Sequence, residues 1–521
     1  MKRLTKRVVY EILKSRFQDG FLKLSSLPSP SSLKDIQKAS KRVVKAIESK
    51  EKIVVIGDYD VDGVVSSAIM KEFFEFLDYP AKIIIPNRFK DGYGITKKLV
   101  ENIKADVIIT VDNGISAVDA AEYCKERGID LIITDHHTPP KELPKAYAII
   151  NPKQNSCNFE YKDICGAQVA WFFIAQIKKE LNLNLDMKIF LDLLSIAIIA
   201  DVMPLTNINR TLVQAGLKYF EKSKRESIKF LRKSLKKDSF SSEDIGFTIA
   251  PVLNSAGRMD SATIALDFLT SKDFFESSIY YSKLLALNSQ RKLEERRVFE
   301  EAILQNSKDN KVFVAKGADW HEGVVGIVAS RVVDRFKKPA IILTKKDNFY
   351  KGSGRSFANI DLFELLNSNK KFLYKFGGHK KAAGLTIKEE NLDNLIVGLN
   401  EAIKSVPKED WIEDRGVLGE LPFSEIDWEL LEIIEIFAPY GESNPMPKFV
   451  TLNVEVLNFR EVGENQDHLL LTLKQNSKVF RAIKFRNSKK IEKDFIDIVY
   501  YPMKNSFNNS NNIQLNLLDI I

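Results

Sequence analysis

The sequence is poor in the features that mark several common protein classes. It holds three cysteines in 521 residues, Cys124, Cys157 and Cys165. Three thiols cannot pair completely and their spacing fits no zinc motif, so neither a disulfide framework nor a cysteine-rich zinc module is expected. A reducing cytoplasm suits such a chain. No apolar run approaches the roughly 18–20 residues that a membrane helix needs. The most apolar stretch, residues 191–200, leads straight into Asp201. The N-terminal region lacks a secretory h-region, and residues 33–47 predict an amphipathic helix leading into a strand rather than a transit peptide. Histidine is also scarce. There are five, His136, His137, His321, His379 and His468, and two of them are adjacent.

What is present points to a multidomain protein. With 44% hydrophobic residues and a mean hydropathy of −0.17, the chain can build several interiors, and its length predicts two to four domains. Net charge is +8, and residues 1–50 carry 13 Lys+Arg against 4 Asp+Glu. A basic arm on a nearly neutral body is compatible with a polyanionic partner, and equally with a solvated surface.

Apolar strand-like runs occur at 53–56, 82–85, 107–111, 131–134 and 148–150, with helix-like segments between the first four, such as 64–77 and 117–127. Strands alternating with helices predict a parallel sheet covered on both faces. Residues 160–306 read as mostly helical, and 273–306 form a long charged helical pattern suited to connecting two lobes. Strands at 312–315, 339–344 and 383–387 with helices at 324–336 and 392–404 predict a second, smaller α/β domain. From about residue 411, alternation at 449–457, 468–473, 479–485, 495–501 and 513–521 predicts a small antiparallel barrel, for which an OB-fold is the natural candidate.

Ligands of parallel sheets bind beyond the carboxyl ends of the strands. Three strand ends here finish in acids or histidines: Gly57-Asp58-Tyr59-Asp60-Val61-Asp62-Gly63, Thr110-Val111-Asp112-Asn113-Gly114 and Thr134-Asp135-His136-His137. So many carboxylates in one crevice repel one another unless a cation neutralises them. Mixed Asp/His ligands suit Mn²⁺, Mg²⁺ or Zn²⁺, and the lack of cysteine argues against a structural zinc. An EF-hand loop also opens Asp-x-Asp-x-Asp-Gly, but it requires a Glu at its twelfth position, which is Ile69 here, and it follows a helix rather than a strand. Asp201 ends an apolar helix, where a metal would satisfy its charge. Asn254-Ser255-Ala256-Gly257-Arg258 and Gly352-Ser353-Gly354-Arg355-Ser356 each set an arginine beside glycines, which suits a phosphate held by free backbone N–H groups and a planar fork. Arg88 precedes Asp91-Gly92-Tyr93-Gly94. His379 follows Gly377-Gly378, where glycine allows close approach of a ligand.

This ordered series resembles the DHH phosphoesterases and, within them, the bacterial RecJ single-strand-specific exonucleases. It includes the three strand ends, Asn87-Arg88 with Asp91-Gly92-Tyr93-Gly94, Ala200-Asp201-Val202, both arginine motifs, Trp320-His321-Glu322-Gly323-Val324-Val325-Gly326 and Gly377-Gly378-His379. Ala438-Pro439-Tyr440-Gly441 with Asn444-Pro445 resembles the family's lead-in to its OB-fold. The resemblance implies a basic N-terminal arm and helix at 1–50, a DHH catalytic domain at 51–272, a connecting helix at 273–306, a DHH-associated domain at 307–407 and an OB-fold at 408–521.

It further implies two-metal phosphodiester hydrolysis, with Mn²⁺ or else Mg²⁺ as the ions. By resemblance, Asp58, Asp60 and Asp112 hold one ion while Asp62, Asp112, His136 and Asp201 hold the other. His137, Arg258 and His379 contact the scissile phosphate, with Asn254 beside it. Arg88, Ser353 and Arg355 receive the 5′ end, and Tyr93 stacks on a base. The implied activity is 5′→3′ digestion of single-stranded DNA to 5′-mononucleotides in DNA repair and recombination. The implied partners are a single-strand-binding protein and a RecQ-type helicase, for a monomer away from membranes. The alternatives are a DHH phosphodiesterase for oligoribonucleotides or cyclic dinucleotides, and a catalytically inactive DNA-binding scaffold. The barrel argues against the first and the intact carboxylates against the second.

Overall fold

Runs of β-branched residues without polar alternation can be buried only between two layers. Ile53–Ile56 (β1), Lys82–Ile84 (β2), Val107–Val111 (β3), Asp130–Thr134 (β4) and Ala148–Ile150 (β5) form one parallel sheet in the order β2-β1-β3-β4-β5. This computed structural model describes every residue except 1, 19, 464–465, 467, 486–490, 492 and 506–511. Alternate residues serve opposite faces of the sheet. Ile53 and Val55 join the core built with helices Val61–Phe76 and Gly166–Glu180, while Val54 and Ile56 pack with Cys124 of helix Val118–Glu126. Burying each such side chain stabilises the fold by about 1.5–3 kcal/mol.

Helix Phe274–Ile303 is capped by Asp273, which accepts from Glu276 N at 2.8 Å. Its 30 residues span about 45 Å at helical rise. Tyr281 and Leu284 lie in the catalytic core, whereas Val298, Phe299 and Ala302 lie in the core of the second lobe. One rigid element therefore fixes the separation of the two lobes. The second lobe contains Phe313–Gly317 (β6), Ala340–Lys346 (β7), Phe349–Arg355 (β8), Lys375–His379 (β9) and Ala382–Lys388 (β10), in the order β6-β7-β8-β10-β9.

The two glycine–arginine motifs are regular structure rather than loops. Gly352 to Arg355 lie in β8, hydrogen-bonded on both sides, and Asn254 to Arg258 lie in helix Ala250–Met259. Their glycines permit close packing. A Cβ on Gly352 would stand 2.1 Å from Ile342 O, and one on Gly257 would stand 2.1 Å from Tyr59 O. The expectation that these glycines free backbone N–H groups for phosphate is corrected accordingly.

Val417–Glu420 (β11), Lys448–Val462 (β12), His468–Gln475 (β13), Lys478–Lys484 (β14), Phe495–Asn505 (β15) and Asn512–Ile520 (β16) form the third unit. Pairing of β12 with both β13 and β15, and of β16 with both β14 and β15, closes a five-stranded barrel. β11 adds beside β12. Its four residues are too few to register as alternation.

The first 50 residues do not form a free arm. Leu4, Val9, Leu13 and Phe17 are buried with the barrel, and Leu33, Ile36, Ala39 and Val43 are buried in the catalytic core. Their apolar faces outweigh the pull of the charges, which stay at the surface and pair there, as Lys6 does with Asp427 at 2.7 Å. The segment 438–445 docks the barrel on the catalytic domain. Ser242 Oγ donates to Tyr440 O at 2.6 Å, and Leu205 N donates to Glu442 O at 2.8 Å. Buried Arg210 donates to Ile436 O at 2.9 Å and Ala438 O at 2.8 Å while lying 3.9 Å from the Phe21 ring centroid. Replacing Arg210 with Ala strands two carbonyls and removes that stack. We expect a loss of about 2–3 kcal/mol in urea unfolding, together with faster proteolysis near residue 440. An unchanged midpoint and digestion pattern would refute this docking role.

Candidate active site

Each acid reaches the crevice through a local backbone device. After β1, Asp60 caps helix Val61–Phe76, its Oδ1 accepting from Gly63 N at 3.1 Å. Gly63 is required there, because its Cβ would stand 2.6 Å from Asp58 Cα. Asp62 accepts from Gly166 N at 2.5 Å and Ala167 N at 2.9 Å, so the positive end of a second helix faces this carboxylate. Asp112 follows β3 with φ of 63°, a left-handed conformation that aspartate tolerates better than most residues. Asn113 locks this turn. Its Nδ2 donates to Ile56 O at 3.1 Å and Val111 O at 2.9 Å, and its Oδ1 accepts from Ile95 N at 3.0 Å. Asp201 follows helix Leu191–Ala200, and Val202 beside it sits at φ 54°. A β-branched residue in that region is strained, which is common at functional sites.

These devices bring the predicted ligands together. His136 Nε2 lies 3.2 Å from Asp112 Oδ1, 3.6 Å from Asp201 Oδ2 and 3.7 Å from Asp62 Oδ2. Asp62, His136 and Asp201 form one group whose ligand atoms lie within 4.8 Å of one another, and Asp58, Asp60 and Asp112 form another. Asp112 also groups with His136 and His137, so it belongs to both halves. Asp112 Oδ1 and Asp201 Oδ2 are buried with no hydrogen-bond partner among the described residues. An unpaired buried carboxylate oxygen is costly unless a cation or a proton meets it. Burial, reinforced by neighbouring carboxylates, raises the carboxyls of Asp58 and Asp112 well above their usual range and lifts Asp201 to about 9. Burial pushes His136 down, which favours the neutral imidazole that binds metals. An all-oxygen-and-imidazole donor set of this kind fits hard divalent cations such as Mn²⁺ and Mg²⁺.

His137 differs from its neighbour. Its Nδ1 meets Asp135 Oδ1 at 2.7 Å, and although burial alone would lower its pKa, that bond raises it to about 9. Asp135 also accepts from the backbone of His136, His137 and Ile115. Asp135, Asn113 and Gly166 are positioning residues that the motif reading did not assign. Asp135 adjoins the histidine pair, a usable signal, whereas Gly166 carries no local signature. Its Cβ would stand 2.5 Å from Asp112 Oδ1.

A cleft of about 890 Å³ runs from His137 to the second lobe and is lined by Arg88, Tyr93, Arg258, Ser353 and Arg355. Arg258 donates to Gly323 O at 3.2 Å, tying the lobes together, and burial with Arg88 nearby lowers its pKa to about 10. Arg355 Nη1 donates to Ser353 Oγ at 2.7 Å. Arg88 lies 5.2 Å from the Tyr59 ring centroid, and Tyr93 meets both Tyr59 and His137 edge-on. Asn254 Oδ1 accepts from Val61 N at 3.2 Å, so this oxygen braces the Asp60–Asp62 segment. His379 stands exposed at the end of β9 and does not line the cleft.

A parallel sheet ending in a shared Asp/His cluster, faced by a second α/β lobe across an arginine-lined cleft, defines the two-lobed DHH class. The description "DHH family, N-terminal domain" matches residues 52–198, "DHHA1 domain" matches 309–405 and "RecJ OB domain" matches 419–519. The single-stranded-DNA-specific exonuclease RecJ of Bacillus subtilis is 36% identical over 94% of this chain, which spans 64% of that relative's length. The Haemophilus influenzae protein of the same name is 32% identical over 96% of this chain and 92% of its own. The crystal structure of Thermus thermophilus RecJ with Mn²⁺ superposes at a TM-score of 0.85 with 26% identity, covering 100% of this chain and 79% of that one. The chain belongs to the RecJ family.

Gly166→Ala tests the fit of the cluster. Alanine is otherwise favourable in a helix by roughly 0.8–1 kcal/mol over glycine, so the fold should persist by circular dichroism. The methyl should displace Asp112 and weaken Mn²⁺ binding at least about tenfold in calorimetry. Wild-type affinity would refute the close approach.

Proposed function

We propose that the chain is a metal-dependent 5′→3′ exonuclease that removes 5′-mononucleotides from single-stranded DNA, organised as a catalytic domain at 51–272, a connecting helix at 273–306, a DHH-associated domain at 307–407 and an OB-fold at 408–521, with residues 1–50 packed against the first and last of these. The observation that carries this reading is the sharing of Asp112 by two ligand groups at the head of an arginine-lined cleft. The RecJ names of the relatives and the attached barrel extend it from a phosphoester to a DNA strand. Asp58, Asp60 and Asp112 hold one divalent cation, and Asp62, Asp112, His136 and Asp201 hold a second, with Mn²⁺ favoured over Mg²⁺ by the donor set. When bound, such a pair activates water and stabilises the leaving oxygen.

The chain's own residues do the rest. His137, oriented by its Nδ1 contact with Asp135, donates a hydrogen bond to a scissile phosphate oxygen. Arg258 sits at the junction of the lobes, where it can meet the same phosphate with its free guanidinium N–H groups. Asn254, through its amide, and His379, from the rim, are the further phosphate contacts. Ser353, Arg355 and Arg88 seat the 5′ end at the far wall, which sets the polarity. Tyr93 offers a partly exposed ring for stacking, worth ~1–3 kcal/mol per base. The selection of a single strand follows the names of the relatives, and a cleft of about 890 Å³ is where that strand would enter. A single-strand-binding protein and a helicase would supply such strands to a monomeric enzyme.

Asp112→Ala should keep the fold and abolish Mn²⁺-dependent release of mononucleotides from end-labelled single-stranded DNA, as should EDTA on the wild type. Normal digestion by that variant would overturn the assignment. Arg355→Ala should raise KM more than it lowers kcat, by about tenfold or more for a charge-assisted phosphate contact. The loss should be larger on 5′-phosphorylated than on 5′-hydroxyl strands. Equal losses on both would place the 5′ end elsewhere.

A further inference from the structure

Strand β8 carries Lys351, Ser353 and Arg355 at alternate positions, so all three share one face. The register extends them across the sheet. Lys351 pairs with Thr386 and Thr386 with Lys375, while Ser353 pairs with Gly384 and Gly384 with Gly377. A Cβ on Gly377 or Gly384 would meet nothing within 4 Å. The Ser353 row is therefore a bare floor, and the next row is edged by Lys351 and Lys375. Both rows line the cleft. Rows on one face of a strand lie roughly 6.6–6.8 Å apart.

Glu322 faces this outer row. Its Oε2 meets Lys351 Nζ at 2.6 Å and its Oε1 lies 3.8 Å from Lys346 Nζ. Burial alone would raise its carboxyl, but Lys351, Lys346 and Arg88 hold it below the usual range. A carboxylate inside an anion-binding cleft needs a reason. A pair with a half-exposed lysine adds little to stability. What the pair does change is the charge of the outer row, where it occupies the one ammonium that stands in line with Ser353 and Arg355.

We propose that Glu322 is a specificity-determining residue that limits the pocket to a single terminal phosphate. A 5′-monophosphate ends at the Ser353 row, where the Arg355 guanidinium reaches Ser353 Oγ. The two further phosphates of a 5′-triphosphate end extend toward Lys351, where Glu322 blocks the ammonium and repels them. This rests on the seating of the 5′ end proposed above.

The test uses the full chain and 3′-labelled single-stranded DNA carrying a 5′-monophosphate or a 5′-triphosphate. Kd is read by fluorescence anisotropy in EDTA, and kcat/KM in Mn²⁺. The wild type should favour the monophosphate. Glu322→Gln should shift the triphosphate-to-monophosphate ratio toward the triphosphate by about fivefold or more. Lys351→Gln, which leaves Glu322 uncompensated, should shift it the other way. Mere disturbance of the loop would move both variants alike, and that result, an unchanged ratio in Glu322→Gln, or a wild type indifferent to the extra phosphates overturns the proposal. If Arg355→Ala fails to lose preferentially on 5′-phosphorylated strands, the seating itself is wrong. If it loses as expected while Glu322→Gln is inert, only the role of Glu322 falls.

Discussion

Mutual repulsion among buried carboxylates governs the design of the catalytic domain. Asp62, Asp112 and Asp201 converge around the His136 imidazole, and Asp58 and Asp60 crowd against the same Asp112. Desolvation and like charge both oppose this arrangement. The fold meets the cost with backbone dipoles where it can. Asp62 lies against the first N–H groups of helix Gly166–Glu180, and Asp60 caps its own helix. It leaves Asp112 Oδ1 and Asp201 Oδ2 without hydrogen-bond partners among the described residues. Those two oxygens are the share of the electrostatic cost that a cation is needed to offset. The left-handed backbone at Asp112 and Val202 belongs to the same trade, in which local strain is accepted to aim a ligand.

The lobes around the cluster are fixed by contacts too close for a side chain to intrude. Gly257 touches Tyr59 O within the first lobe, and Gly323 of the second lobe touches Arg258 O of the first, each at a distance no Cβ could occupy. Together with the long helix, whose ends are buried in different cores, these contacts hold the metal ligands and the arginine wall in one frame. The docking of segment 438–445 adds the barrel to that frame beside Leu205, four residues from Asp201.

Much of this was legible in the sequence, for physical reasons. The parallel sheet declared itself because doubly buried strands must be continuously apolar, and its strand ends then named Asp58, Asp60, Asp62, Asp112, His136 and His137. What was hidden lay in packing. Gly257 and Gly352 looked like loop residues because glycine usually signals a turn, yet both lie in regular elements where a neighbouring carbonyl excludes a methyl. The basic N-terminal segment looked like an arm because its charges dominate its composition. Its sparse apolar residues nonetheless bury against two separate cores. Gly166 acts through a backbone contact that leaves no trace in spacing, and Asn113, although inside a quoted motif, shows its bracing role only in the bonds of its side-chain amide.

The separation of charge along the cleft carries the last step of the argument. At one end stand acids that need cations, at the other Arg88 and Arg355 need an anion, and Arg258 stands between them at the junction of the lobes. Burial lowers the pKa of both Arg258 and Arg355. A desolvated guanidinium without a carboxylate is costly, just as the partnerless acids are, and a phosphodiester strand answers that need. Under the proposed seating its terminal phosphate would meet Arg88 and Arg355, while its scissile phosphate would meet Arg258 and His137 beside the cation-bearing end. A free mononucleotide could satisfy only one end at a time.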